Sequence, residues 1–321
     1  MFIEVGGQEI YWFIPPLVAF FISIFTSAGG VSGAFLLLPF QMSVLGFTSP
    51  AVSATNHLYN VVAIPGGIYR YIKEGRMLVP LTVIVALGTL PGVFVGSIIR
   101  IEYLPDPTNF KIFAGFVLLY IGIRLLNDIM QKKKVYAKSK TEEKFQDLMK
   151  RKQADKNNTE EMPRVNVKKF NLTTLSYEFY GDEFSVSNFK IILVSLIVGM
   201  AGGTYGIGGG AIMAPIFVAM FHLPVYTVAG AALMGTFLTS FVAVIFYQLL
   251  EPYYPGISVS PNWLLGILFG IGGLAGTYFG ARFQKYMPAK LIKWILTVSI
   301  LFVAIRYILY IFGYMEEIIY V

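Results

Sequence analysis

The chain has 321 residues, of which 56% are hydrophobic and only 13% are charged, and its mean hydropathy is +0.66. A soluble globular domain carries about 25% charged residues, so this composition excludes that class and predicts a polytopic membrane protein. The absence of cysteine excludes disulfides, thiolate catalysis and Cys-ligated metal sites. The two histidines, His57 and His222, are too few to favour an all-protein transition-metal site.

The net charge of +7 comes from one segment. Residues 131–170 contain 13 Lys/Arg against 6 Asp/Glu, so the rest of the chain sums to zero. We interpret this segment as a solvated cytoplasmic loop, because cytoplasmic loops of membrane proteins are enriched in basic residues. We therefore expect no nucleic-acid partner.

Eight segments are long and apolar enough for a membrane-spanning helix of about 20 residues. They are 11–28, 50–70, 78–99, 110–127, 188–205, 226–250, 261–281 and 291–314. Two shorter apolar stretches, 31–47 and 207–222, follow glycine clusters, and the sequence does not decide whether they cross or re-enter. The stretch 128–187 holds 23 of the 43 charged residues and is expected to be a polar linker, helical in part as far as about Lys156.

The two halves of the chain contain the same motifs in the same order, which predicts an internal repeat. Their offsets lie between 176 and 184 residues. The matched motifs are Gly30-Val31-Ser32-Gly33 with Gly206-Ile207-Gly208-Gly209, the ladder Gly88, Gly92, Gly96 with Gly272, Gly276, Gly280, and Ile123-Arg124-Leu125 with Ile305-Arg306-Tyr307.

Equivalent loops of the two repeats differ in charge. The loop 70–77 is basic, whereas its counterpart around Glu251 has no basic residue. The loop 100–111 is balanced, whereas its counterpart, 282–293, carries four basic residues and no acidic one. Because cytoplasmic loops are basic, the sequence predicts inverted-topology repeats. The basic loops and the linker would then be cytoplasmic, and both termini would lie outside.

Glycine clusters interrupt apolar stretches at 28–33 and 201–210. Glycine costs about 1 kcal/mol relative to alanine inside a helix, so these runs favour unwound backbone. Unwound backbone at membrane depth survives only where it is buried in protein or lines a wet cavity. A helix beginning at Ser32 or Gly208 would direct N–H groups and its positive dipole end into such a cavity, which predicts an anion site. Close helix packing through small residues is the alternative.

A polar run, Thr55-Asn56-His57 followed by Asn60, lies within the otherwise apolar segment 50–70. Asn56 and Asn60 are four residues apart and share a helix face, and polar groups within a membrane often mark a pathway. Interhelical hydrogen bonding is the alternative. His57 is either a titrating group or a packed hydrogen-bonding residue.

Other recurring residues have simpler interpretations. Arg124 and Arg306 are expected to extend to the membrane interface, with attraction of anions as the alternative. The ladders that start at Gly88 and Gly272 are predicted to be helix-packing surfaces.

These features resemble the sulfite exporter TauE/SafE family, also described as a sulfonate permease family. The resemblance rests on the paired architecture and on residues 30–33 through Pro39, 51–56, and 206–210 with Pro215. It covers nearly all of the chain outside 128–187, and it implies transport of sulfite, sulfoacetate or other small oxyanions and organosulfonates. This chain departs from the glycine-rich pattern at Ser32 and Ala34, which stand opposite Gly208 and Gly210.

The sequence therefore predicts an all-α polytopic membrane protein with two inverted-topology repeats, 1–127 and 188–321, joined by the charged cytoplasmic linker 128–187. Its predicted function is a secondary transporter or facilitator that moves a small anion across the cell membrane by alternating access. One repeat would rock against the other. The predicted substrate-binding residues are Gly30, Ser32, Gly33, Asn56, His57, Asn60, Thr204, Gly206, Gly208, Gly209, Gly210 and Thr236.

An anion channel, a membrane-embedded sensor and a membrane-embedded enzyme are the alternative functions. An enzyme is disfavoured because the sequence offers only His57 at depth, without intramembrane carboxylates. We expect no catalytic residue, metal or cofactor. The expected partners are the small anionic substrate and membrane lipid, and a homo-oligomer is compatible with the sequence. The linker is predicted to have no packed core of its own and to be dispensable for transport.

Overall fold

A computed structural model of the chain describes residues 2–130, 144–145, 147–151 and 164–311, and this part is mostly helical, which confirms the predicted fold class. A β-hairpin, β1 (Phe2–Val5) and β2 (Gln8–Tyr11), precedes the first helix. The helices of the first half are α1 (Ile14–Ala28), α2 (Ala34–Ser43), α3 (Ala51–Lys73), α4 (Val79–Ile98) and α5 (Pro107–Met130). Those of the second half are α6 (Asn188–Tyr205), α7 (Gly209–Ala219), α8 (Val225–Leu250), α9 (Trp263–Gln284) and α10 (Ala289–Ile311).

The described helices include six that are long and apolar enough to cross a membrane, which confirms a multi-pass membrane protein. These are Val79–Tyr103, Pro107–Asn127, Asn188–Tyr205, Val225–Tyr253, Trp263–Gln284 and Lys290–Leu309. The predicted span 11–28 is corrected to α1, a helix of 15 residues, because β2 occupies the chain as far as Tyr11. At 1.5 Å per residue, α1 is about 22 Å long, shorter than a hydrocarbon core of about 30 Å.

Hydrogen bonds between loops define the two ends of the helix bundle. At the end that we name the recess end, the backbone N–H of Ala51 donates to the Ser258 carbonyl (3.0 Å) and Arg100 Nη2 donates to the Thr48 carbonyl (3.1 Å). At the opposite end, named the sheet end, the backbone N–H of Val165 donates to the Gly75 carbonyl (3.2 Å).

Equivalent helices of the two halves run in opposite directions between these ends. α3 starts beside the recess end and stops at the sheet end, whereas α8 starts at the sheet end and stops beside the recess end. The short helices α2 and α7 each lead the chain back to the end of the bundle at which the preceding helix began. The loop after α2, for example, contacts the β1–β2 hairpin that precedes α1, where Gly46 lies against Gly6. Inverted repeats require such an arrangement, but the inverted repeats themselves and the sidedness of the two ends stay predictions.

Both glycine ladders are packing surfaces, as predicted. An added Cβ at Gly92 would lie 2.3 Å from the Leu196 carbonyl oxygen of α6, and one at Gly272 would lie 1.8 Å from the Pro16 carbonyl oxygen of α1. Helix α4 therefore packs backbone to backbone against α6, and α9 packs in the same way against α1. Each contact joins the fourth helix of one half to the first helix of the other.

The expectation of a polar linker does not hold for residues 164–187, which form a sheet with a buried apolar face. Three antiparallel strands, β3 (Asn166–Phe170), β4 (Thr174–Phe179) and β5 (Asp182–Ser187), form a sheet in the order β3–β4–β5. Its inner face buries Leu175, Tyr177 and Phe179, which alternate with polar residues along β4. Tyr177 Oη is hydrogen-bonded to Thr227 Oγ1 (2.9 Å) at the start of α8, so the sheet is docked on the bundle.

The charged surface of this segment conceals the alternation that builds the sheet, which is why composition alone predicts a polar linker. Tyr180 and Gly181 connect β4 to β5 with positive φ angles of 57° and 80°, as in the two-residue turns that favour hairpins. The lysine run 132–134 and the asparagine pair 157–158 lie outside the described residues.

Candidate functional site

The two glycine clusters are breaks between helices, as predicted. The first break joins α1 to α2 and turns at Gly30 (φ +72°), and the second joins α6 to α7 and turns at Gly206 and Gly208 (φ +85° and +75°). Such φ values are open to glycine and strained for most other residues. The local sequence therefore forces unwound backbone at both places.

Each break packs against a helix of the other half. An added Cβ at Gly30 would lie 2.4 Å from Cα of Ala229 on α8, and one at Gly206 would lie 2.5 Å from Cα of Ser53 on α3. Because these neighbours are backbone atoms, they cannot move aside as a flexible side chain can. Larger residues at Gly30 or Gly206 would consequently push the two halves apart.

Four fully buried side chains connect the two breaks, and we name them the central polar cluster: Ser32, His57, Asn60 and Ser240. Ser32 Oγ donates to Asn60 Oδ1. Asn60 Nδ2 donates to the Ile207 carbonyl (3.1 Å) in the second break and to Ser240 Oγ (3.0 Å). Asn60 thus bridges both breaks from the middle of α3.

His57 joins the cluster through one ring nitrogen. Its Nδ1 shares a hydrogen bond with Ser240 Oγ (3.1 Å), and the ring lies near Tyr247, with centroids 6.0 Å apart. The other nitrogen, Nε2, is buried and has no well-formed hydrogen bond to any described residue. The imidazole therefore joins the cluster through Nδ1 alone.

Asn56, predicted to bind substrate, is bonded to α2. Its Nδ2 donates to the Ala34 carbonyl (3.1 Å), and its Oδ1 accepts from Gln41 Nε2 (2.7 Å). Both groups of the amide are therefore engaged in holding α2 against α3. Gln41 Oε1 has no partner among the described residues.

The two predicted threonines donate their hydroxyls to helix carbonyls. Thr204 Oγ1 donates to the Gly96 carbonyl (3.0 Å) and the Met200 carbonyl (2.9 Å), and Thr236 Oγ1 donates to the Ala232 carbonyl (2.9 Å). Neither hydroxyl contacts the central polar cluster.

The remaining predicted glycines differ in their surroundings. An added Cβ at Gly208 would lie 2.7 Å from Ser240 Oγ, so Gly208 borders the central polar cluster. Gly33 faces the Tyr59 hydroxyl, Gly209 faces the side chain of Thr89, and Gly210 faces the Ala232 carbonyl. Gly209 and Gly210 are thus packed against helices α4 and α8.

Sequence reasoning missed Ser240, which joins His57 to Asn60. It lies in the apolar helix α8 without a charged neighbour, and it is four residues after Thr236, on the same helix face. That spacing was the available signal. Tyr59 and Ser23, hydrogen-bonded to each other (2.7 Å) beside Gly33, were also missed.

A bundle of apolar helices in which two glycine-broken hairpins meet around buried polar side chains is the architecture of an α-helical membrane transporter. The chain belongs to the sulfite exporter TauE/SafE family, whose profile matches residues 16–307. This match confirms the resemblance found in the sequence.

Three relatives carry the same general description. The chain is 29% identical over 114 residues to the probable membrane transporter protein YdhB of Bacillus subtilis. The matched region covers 36% of this chain and 43% of the relative. It is 26% identical over 117 residues to the probable membrane transporter protein YunE of the same organism, covering 36% and 40%. A probable membrane transporter protein of Haemophilus influenzae is 25% identical over 119 residues, covering 37% and 42%.

The chain thus spans less than half the length of the curated relatives that it matches. No solved structure matches it.

Proposed function

We propose that this membrane transporter moves a small anion, a sulfite or an organosulfonate, by alternating access, and that the anion binds at the central polar cluster. The observation that carries the proposal is the meeting of both helix breaks at Ser32, Asn60 and Ser240. A site shared by the two halves can open toward one end or the other when they move relative to each other.

The chemistry of the cluster suits an anion. Helices α2 and α7 begin beside it, at Ala34 and Gly209, and a helix N-terminus carries a partial positive charge of about half a unit. The hydroxyl, amide and imidazole groups of the cluster would donate hydrogen bonds to the oxygens of a sulfite or sulfonate once they exchange their present bonds for bonds to the ion. Among the described residues, no acidic side chain contacts the cluster to repel such an ion.

The cluster is closed to both ends of the bundle in this structure. Ser32, His57, Asn60 and Ser240 are each 0% exposed. An ion can therefore reach them only after helices move, which supports a carrier over an open channel. Counterflow of labelled substrate would distinguish the two, because a channel does not exchange one bound ion for another.

The proposed orientation puts the sheet end in the cytoplasm and the recess end outside. Basic residues are concentrated around the sheet end, including Arg70, Lys73 and Lys285, whereas Glu102 and Glu251 lie around the recess end. This charge distribution follows the bias of cytoplasmic loops toward lysine and arginine.

Flux into liposomes containing the purified protein tests the proposal, with sulfite, sulfate, thiosulfate and ethanesulfonate as substrates. Ser240→Ala removes the hydroxyl that joins Asn60 and His57, so we expect the half-saturating concentration of the transported anion to rise about three- to tenfold. The matched control is Thr239→Val, because Thr239 is the equally buried neighbour of Ser240 on α8 and its hydroxyl donates to the Gly235 carbonyl of its own helix (2.8 Å). Equal flux kinetics in the two variants would contradict the assignment of the site.

A further inference from the structure

Arg100 is a fully buried cation in the π-helical turn that follows α4, close to the recess end. Its Nε donates to Ser53 Oγ (3.3 Å), its Nη1 to the Leu104 carbonyl and its Nη2 to the Thr48 carbonyl. A guanidinium has five N–H groups, two on each terminal nitrogen. One N–H on each terminal nitrogen is therefore left without a hydrogen bond to a described residue.

No described acidic side chain forms an ion pair with Arg100. The acidic side chains of the neighbouring loops have other partners: Glu102 accepts from Tyr254 Oη, Glu251 from the backbone N–H groups of Val259 and Ser260, and Asp106 from the backbone N–H of Asn109. A buried charge without a counter-charge is costly. The Phe110 ring lies 4.0 Å from the guanidinium carbon and partly compensates the charge, but no described carboxylate does so.

An open recess of about 290 Å³ lies in the bundle surface beside this side chain. Thr48, whose carbonyl accepts from Arg100, lines the recess together with Pro105, the residue that follows Leu104. Ser258, on the loop 256–258, also lines the recess. The guanidinium is therefore hydrogen-bonded to backbone of the loops that form the recess.

Ser53 connects Arg100 to the second helix break. Its Oγ accepts from Arg100 Nε and donates to the Thr204 carbonyl (3.2 Å) at the end of α6. Gly206 packs directly on Cα of Ser53, and the next residue, Ile207, accepts a hydrogen bond from Asn60. A continuous series of contacts therefore leads from the recess through Arg100 to the central polar cluster.

We propose that Arg100 and the recess form an entry site for a small oxyanion at the recess end, from which the ion passes to the central polar cluster. This inference rests on the proposed anion transport. The two free N–H groups would bind the anion oxygens when the loops 48–50 and 104–107 separate, since a guanidinium suits two oxygens of one oxyanion. The remaining bonds to Ser53 and the loop carbonyls would keep the side chain in position.

Charge-selective modification of a single thiol tests the entry site. Because the chain has no cysteine, Ser258→Cys places one thiol at the rim of the recess. The probes are two methanethiosulfonates of similar size, the anionic sulfonatoethyl and the cationic trimethylammonioethyl reagents. The ratio of their reaction rates, divided by the same ratio for free cysteine, measures the local preference for an anion, because any change in thiol reactivity cancels.

We expect a normalised ratio of about five or more in the protein that retains Arg100, since a nearby uncompensated cation raises the local anion concentration. Arg100→Gln should reduce it to near one, and Arg100→Lys should keep most of it. The control Arg124→Gln, at an exposed arginine of α5, should leave it unchanged. A structural role alone predicts no difference between the lysine and glutamine variants.

A ratio near one with Arg100 present would overturn the proposal, and this measurement requires no arginine variant to fold. A high ratio that persists in Arg100→Gln would overturn it as well. The outcome is separable from that of the proposed function. If the ratio depends on Arg100 while liposomes show no flux of any of the four anions, the proposed transport fails and the anion site remains. If flux occurs with a ratio near one, only the entry site fails.

Discussion

Arg76 and Arg100 are both fully buried, and they lie at opposite ends of the bundle. Arg76 Nε and Nη2 donate to Glu74 Oε2 (3.1 and 2.6 Å), and its Nη1 donates to Gln284 on α9. Glu74 also forms ion pairs with Arg70 and Lys285. Arg100, by contrast, has carbonyl and hydroxyl partners and no ion pair to a described residue.

The difference shows that burial does not by itself reveal the role of a charged residue. At the sheet end, the carboxylate of Glu74 connects the end of α3 to the end of α9 and offsets the cost of burying Arg76. At the recess end, Arg100 lies against the Phe110 ring (4.0 Å) and has no carboxylate partner among the described residues. The presence of a counter-charge, rather than the depth of burial, distinguishes an arginine with a structural role from a candidate binding residue.

The sidedness of the two ends is an all-or-none prediction. Ser258→Cys places a single cysteine at an exposed position of the recess end, and Lys290→Cys places one at an exposed position of the sheet end. A membrane-impermeant thiol reagent should label the first from outside sealed cells and the second only after the membrane is opened. Labelling of both from the same side would end the inverted-repeat hypothesis, and the cysteine-free parent serves as the background control.

Glu74→Gln should be the most destabilising change at the sheet end. It leaves Arg76 buried without its carboxylate, and removal of one partner of a buried pair costs about 3–5 kcal/mol. Thermal and denaturant unfolding in detergent should show the loss. The matched control is Glu178→Gln in the exposed pair with Lys168, where we expect no measurable change. Equal stability of both variants would show that the sheet-end network is not structural.

The stabilisation by Glu74 should depend on pH. Burial raises the pKa of its carboxyl, but the neighbouring Arg76, Lys285 and Arg70 outweigh burial and hold this pKa below its ordinary value of 4.5. A depressed pKa in the folded state stabilises the protein fully above the unfolded value and loses this effect as the pH falls through the folded value. The stability gap between the parent and Glu74→Gln should thus narrow below about pH 4.5, and a constant gap would contradict the assignment.

Tyr177→Phe should have the smallest effect of this series. It removes the hydrogen bond from β4 to Thr227 on α8, worth about 1 kcal/mol. Amide hydrogen exchange in residues 166–187 should accelerate by about fivefold. Tyr253→Phe removes a hydroxyl from a side chain that is 78% exposed and should leave this exchange unchanged. An equal response in both variants would mean that the sheet does not depend on this contact.

Features that depend on a few neighbouring residues could be predicted from the sequence. Gly30 and Gly206 specify unwound backbone because few other residues tolerate their φ angles. The ladder at Gly92 indicates close helix contact because only glycine leaves room for a neighbouring backbone. The paired order of these motifs then indicates two similar halves.

Features that depend on which side chains meet could not be predicted. Ser240 is an ordinary hydroxyl on an apolar helix until α3 brings Asn60 within 3.0 Å of it. The loop that contains Arg100 is balanced in net charge, and only the folded chain shows that Glu102 is engaged by Tyr254. In the linker, the many charged residues obscured the short alternation of Leu175 and Tyr177, so the sequence did not predict the sheet.

The glycine ladders constrain the units that can move. α1 and α9 touch through backbone atoms at their glycines, and so do α4 and α6, which leaves little room for these helices to slide past each other. We expect each pair to move as one rigid body, so that a body includes one helix from each half of the sequence. On this expectation, the rigid units differ from the two halves of the sequence. The proposed alternating access would then rock one mixed helix pair against the other, rather than one repeat against the other.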